Sequence, residues 1–160
     1  MIIILNGPIN SGKSTVAKIL WKKIPNTAHI EIDKIREFID WMKNEEAWEI
    51  SFNTTLSVAK EFIQKDLNVI ITYHISNKGF EKIKEALESF DKDIYAFTLL
   101  PKVNLLLTNR GNRELNDWER GRIKETYEKN SHKVSYGETI DNSHQTPQQT
   151  ANYIFNKIKI

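Results

Sequence analysis

Eight consecutive residues, Gly7-Pro8-Ile9-Asn10-Ser11-Gly12-Lys13-Ser14, constrain this chain more than any other part of it. They match the P-loop pattern G-x-x-x-x-G-K-[ST] without a gap, and their flanks have the required periods. Ile2–Leu5 is an apolar run, short enough for a strand buried on both faces. After the loop, Val16, Ala17, Ile19 and Leu20 recur at helical spacing until Pro25. In such a strand–loop–helix unit, Gly7 and Gly12 permit a tight path around phosphate oxygens. The loop N–H groups form an anion nest, and the helix adds the positive end of its dipole. Lys13 is expected to reach the β- and γ-phosphates of a nucleoside triphosphate, and the Ser14 hydroxyl to ligate Mg²⁺. The expected nucleotide contacts are Gly7, Pro8, Ile9, Asn10, Ser11, Gly12, Lys13, Ser14 and Thr15. The motif identifies a nucleotide site and leaves open what happens to the nucleotide.

The rest of the chain alternates strand and helix signals. Strands are expected at Ala28–Ile32, Val69–Tyr73 and Ile94–Leu100, with a short one at Glu138–Asp141. Asp33 is placed to cap a helix whose apolar stripe is Ile35, Phe38, Ile39 and Met42. Further helices are expected over Ala47–Lys65, Phe80–Leu87, Val103–Thr108 and Trp118–Lys129. The last begins at Thr146-Pro147-Gln148-Gln149, where an N-cap threonine, a first-turn proline and a glutamine three residues after the cap coincide. This alternation predicts a three-layer α/β/α fold around a parallel sheet. No repeat or linker interrupts it, so residues 1–160 are read as a single domain.

Composition removes several function classes. The chain has no cysteine, which excludes disulfides, thiolate metal sites and a cysteine nucleophile. A net charge of +2 is too small to argue for nucleic acid or membrane partners. No apolar segment is long enough to cross a bilayer and no secretory signal opens the chain, so a cytoplasmic protein is expected. A GTP switch needs Asn-Lys-x-Asp. The Asn-Lys pairs here read Asn77-Lys78-Gly79-Phe80 and Asn156-Lys157-Ile158-Lys159, and no aspartate has a glycine three residues later. The third strand runs out as Ile71-Thr72-Tyr73-His74, without the carboxylate typical of motor ATPases.

Three further segments accompany the loop: Asp33-Lys34-Ile35-Arg36 after the second strand, Arg110-Gly111-Asn112-Arg113 with Arg120 and Arg122 beyond, and Thr139-Ile140-Asp141-Asn142-Ser143 before the last helix. With these, nearly the whole chain resembles the P-loop kinases related to adenylate kinase, shikimate kinase, chloramphenicol phosphotransferase and polynucleotide kinase. The P-loop is the one highly specific motif among them. The resemblance implies a five-stranded parallel sheet of order 2-3-1-4-5, with ATP and Mg²⁺ as nucleotide and metal. It implies a helical acceptor region over about residues 34–65 and a short arginine lid over about 109–120. In that frame Asp33 accepts or orients the proton of an acceptor hydroxyl, and Arg36 either clamps an acceptor anion or is a surface arginine. Arg110 and Arg113 join Lys13 in stabilising the transferring phosphoryl group, unless the lid arginines simply pair with nearby glutamates. Residues 139–143 either pack against the base or merely connect strand to helix. His74 either touches the acceptor or is an ordinary loop histidine.

Phe38, Trp41, Trp48 and Phe52 read either as helix packing, the commoner use of such a stripe, or as a stacking wall for a planar acceptor. The expected function is transfer of the ATP γ-phosphate to a hydroxyl of a small molecule such as a nucleoside, antibiotic, sugar or shikimate-like acid. The alternatives are a polynucleotide 5′-hydroxyl kinase and a nucleotide-dependent binding protein with no acceptor. Oligomeric state is left open.

Overall fold

In a computed structural model of the protein, residues 1–39, 41–109 and 114–159 are described. Five parallel strands form one sheet: β1 (Ile2–Asn6), β2 (Thr27–Glu31), β3 (Asn68–Tyr73), β4 (Ile94–Leu99) and β5 (Glu138–Ile140). Their order is β2-β3-β1-β4-β5, as the kinase resemblance implied. The strand that leads into the glycine loop is therefore central, flanked by β3 and β4 with Ile4 level with Ile71 and Ala96.

Alternation along β1 builds the layers. Ile2 and Ile4 enter one core with Ile30, Val69, Ile71, Phe52, Ala59 and Ile83, beneath α3 (Asn44–Gln64) and α4 (Asn77–Leu87). Ile3 and Leu5 enter the other with Val16, Leu20, Leu99, Ala151 and Ile154, beneath α1 (Lys13–Lys23) and α7 (Pro147–Lys157). All four side chains are fully buried, and each contributes about 1.5–3 kcal/mol. A third, smaller core lies beyond the strand ends. There α5 (Val103–Leu106) and α6 (Asp117–Glu128) bury Leu106, Leu115 and Ile123, with Ile9 of the glycine loop packed against them. Thr146 and Gln149 cap α7 reciprocally, as its sequence predicts, and Asn116 and Glu119 do the same for α6.

One expected element is corrected. The helix with the stripe Ile35, Phe38, Ile39 and Met42 does not form. Helix α2 spans only Ile32–Arg36, and chain without regular helix precedes α3. Phe38 is 84% exposed and Trp41 80%, so neither packs a core. Half of the aromatic stripe is thus turned to solvent, while Phe52 is buried and Trp48 stacks on it at 5.0 Å. Asp33 is also not a cap: Glu31 holds that position without a side-chain bond, and Asp33 lies in the first turn of α2.

At the top of the central strand, buried Asn6 joins both neighbours. Its amide donates to Thr98 Oγ1 of β4 at 3.0 Å and its carbonyl accepts the Ile75 N–H beyond β3 at 2.8 Å. Asn6→Ala leaves both partners unpaired in the interior. Urea unfolding should show a loss of about 2 kcal/mol, whereas Phe38→Ser should change stability by less than about 0.5 kcal/mol.

Candidate active site

The glycine loop turns on three residues with positive φ: Gly7 at 148°, Asn10 at 66° and Gly12 at 92°. Gly7 has no room for a side chain, since a Cβ there would lie 2.5 Å from the Leu99 carbonyl oxygen and 2.6 Å from Ser11 Oγ. The loop is held from outside. The Asn10 amide donates to the carbonyls of Leu106 and Thr108, each at 2.9 Å, and Asn142 Nδ2 donates to the Ser11 carbonyl at 3.0 Å. No side chain caps α1 and no acid lies in its first turn, which leaves a positive helix end facing the loop. Lys13 Nζ donates to the Pro8 carbonyl at 3.1 Å, drawing the ammonium back along the loop. This donor set suits a polyphosphate chain, and Ser14, in the first turn of α1, is the candidate to hold a divalent cation.

Asp33, in the first turn of α2, lies within the field of Lys13. It is open to solvent, yet surrounding protein pushes its carboxyl above the ordinary range, and the nearby Lys13 ammonium only partly offsets this. Tyr73 lies in the same space: burial raises its hydroxyl, the Asp33 charge raises it further, and the Trp48 indole lies beside it. Burial lowers His74, and the positive charges of Lys13 and Arg122 reinforce the effect. Electrostatic influence thus links Lys13, Asp33, Trp48, Tyr73, His74 and Arg122, drawn from five different elements and their connections, and this group is the candidate acceptor cleft.

Other sequence candidates have structural partners. Arg36 donates to the Ile39 carbonyl and, at 3.1 Å, to Asn44 Oδ1, bracing the turn between α2 and α3. His74 Nε2 meets the Ser131 carbonyl at 3.0 Å and helps moor the chain after α6. The Tyr136 hydroxyl donates to Ile75 and the Ser135 N–H to Asn77 Oδ1 in the same seam. Arg120 binds the carbonyls of Leu107 and Leu115, so it shapes the third core. Arg122 pairs with Glu125 while its charge reaches Tyr73 and His74. Arg110 and Arg113 lie outside the described residues. Sequence reasoning missed the side-chain role of Asn142, having read its loop either as a contact to the base or as a plain strand-to-helix connection. The available signal was an asparagine just after the last strand, at the sheet end where the glycine loop lies.

A strand–glycine loop–helix unit at the centre of a 2-3-1-4-5 sheet, together with the family match that follows, makes this a kinase-like P-loop protein. The chain belongs to the chloramphenicol phosphotransferase-like protein family, whose model matches residues 1–159. No curated protein sequence matches it significantly. Among solved structures, it is similar to the tunicamycin resistance protein of Deinococcus radiodurans, at 19% identity and TM-score 0.63, over 99% of this chain and 95% of that one. A sugar kinase from Janibacter sp. HTCC2649 shares 12% identity at TM-score 0.67, over 97% and 92% of the two chains. Thymidylate kinase from Candida albicans shares 18% at TM-score 0.57, over 98% and 90%. At these identities the likeness establishes the fold. Among the described residues, no helix is long and apolar enough to cross a membrane.

The raised Asp33 carboxyl has a stability consequence. Its folded-state pKa lies above the unfolded value, so this term favours the fold below the unfolded pKa and is lost as pH rises through the folded one. Asp33→Asn should therefore melt higher than wild type at pH 7, and the gap should close as pH falls through the carboxylate range. Paired calorimetric scans from pH 7 to about pH 3 test this.

Proposed function

We propose that the chain is an ATP-dependent kinase that transfers the γ-phosphate to a hydroxyl of a small acceptor carrying no phosphate of its own. The observation that supports this reading is an exposed carboxylate, Asp33, in the first turn of α2 and within the field of Lys13 of the glycine loop. The Asp33 carboxylate takes the acceptor's proton as its oxygen bonds to the γ-phosphorus. The bond from that phosphorus to the β,γ-bridging oxygen breaks, and ADP leaves. Lys13 and the loop amides meet the charge on the phosphoryl oxygens, and Arg122, whose charge is felt at both Tyr73 and His74, adds to them. Mg²⁺, held by Ser14 and the phosphates, supplies charge neutralisation when bound.

Burial works for the proton transfer, because a carboxylate raised above its ordinary pKa is a stronger base. Trp48 and Tyr73 offer an aromatic wall to a ring in the acceptor. The engagement of Arg36 with Ile39 and Asn44 counts against an acceptor phosphate, and with it against a polynucleotide strand.

A screen with labelled ATP against nucleosides, sugars, aminoglycosides, shikimate-like acids and short oligonucleotides tests the reading. A product from a neutral small acceptor is expected, and phosphorylation of oligonucleotides alone would reject it. Lys13→Ala should abolish turnover. Asp33→Asn should bind ATP normally and lose about 100-fold or more in kcat. The acidic limb of the wild-type rate profile should lie above the usual carboxylate range and vanish in that variant. Full transfer by Asp33→Asn would remove Asp33 from the chemistry.

A further inference from the structure

The geometry points to Asn10 as a positioning residue that makes the glycine loop and the α5–α6 unit a single mechanical body. This rests on the nucleotide-binding reading of the loop and adds to it. Nothing in the G-x-x-x-x-G-K-[ST] pattern asks for an asparagine at this position. The left-handed backbone at Asn10 suits glycine or asparagine equally well. The side chain distinguishes the two. It is buried, and its one amide nitrogen donates to both the Leu106 and Thr108 carbonyls at 2.9 Å, spanning the C-terminal end of α5.

Those carbonyls belong to a helix end, where the last C=O groups have no partner within the helix. Asn10 supplies what a C-cap would, from a loop almost a hundred residues away in sequence. Ile9 beside it packs into the same third core as Leu106, Leu115 and Ile123. Arg120 closes that core from α6 by binding the carbonyls of Leu107 and Leu115. The next residues along α6 include Arg122, whose charge is felt at Tyr73 and His74 in the cleft. A continuous set of contacts thus runs from a loop amide to the helix that brings Arg122 to the acceptor side. Movement of the loop on binding phosphate is then transmitted to α5 and α6, and the position of Arg122 becomes linked to occupancy of the loop.

Hydrogen–deuterium exchange on the full chain, with and without the magnesium complex of a non-hydrolysable ATP analogue, tests this. In wild type the analogue should slow exchange in residues 7–16 and also in 103–109 and 115–123. Asn10→Gly keeps the backbone conformation and removes the donors. It should bind the analogue about threefold more weakly, keep protection in 7–16, and lose about tenfold of it in α5 and α6. Asn10→Asp, which turns an acceptor toward two carbonyls, should lose at least as much. In turnover both variants should show a larger fall in kcat than rise in the KM for ATP. An Asn10→Gly protein that behaves as wild type would reduce Asn10 to a backbone requirement and overturn the proposal. So would loss of analogue binding in both variants, which would mean that Asn10 only shapes the loop. Wild-type protection confined to 7–16 overturns the coupling and leaves the nucleotide site standing. No protection anywhere removes the nucleotide site, and the coupling with it.

Discussion

An anion nest is a set of N–H dipoles aimed at one point, and without its anion those dipoles repel one another. Such a loop keeps its shape only if other parts of the fold hold it. Here the restraints come from three directions. The Leu99 carbonyl packs against Gly7 so closely that no side chain fits between them. Asn142 reaches in from the end of β5 to the Ser11 carbonyl, and Asn10 reaches out to the end of α5. Each restraint originates at the carboxyl end of the sheet, so the strand order that puts β1 at the centre also lets both sides of the fold grip the loop. Two polar atoms remain buried there without protein partners, Ser11 Oγ and Asn142 Oδ1, and both lie in this bracing. Unmet hydrogen-bonding capacity at such a place is typical of regions kept for function at some expense of stability.

The cleft beside the loop follows a single electrostatic rule. Crowding by protein disfavours charge, and each group responds in its own direction: Asp33 and Tyr73 are raised, His74 is lowered. Lys13 opposes the effect at Asp33 and strengthens it at His74, as one positive charge must do to an acid and to a base. The same displacement that makes the carboxylate a better base also makes it a burden on the folded chain. In the proposed mechanism, catalysis and stability thus draw on one feature of the environment.

Much of this was readable from the residues. The glycine loop, the alternation of strands and helices and the capping box at Thr146 are local signals, fixed by spacing within a few residues, and the structure agrees with them. Asp33 was placed near the loop through the resemblance to kinases, and its proximity to Lys13 is in keeping with that. What failed was the stretch after Arg36. Ile35, Phe38, Ile39 and Met42 have helical period, but a stripe forms a helix only where a core receives it, and none lies beneath Phe38 or Trp41. The roles of Asn10 and Asn142 depend on contacts between elements distant in sequence, which periodicity does not encode.

The open turn between α2 and α3 divides the molecule's obligations unevenly. Phe38 and Trp41 are exposed and belong to none of the three cores, so substitutions among them cost the fold little, whereas Asn6 and Gly7 are held by their neighbours. A lineage can vary this rim freely while its engine stays intact. Change at this rim therefore leaves the two cores and the bracing of the glycine loop as they are.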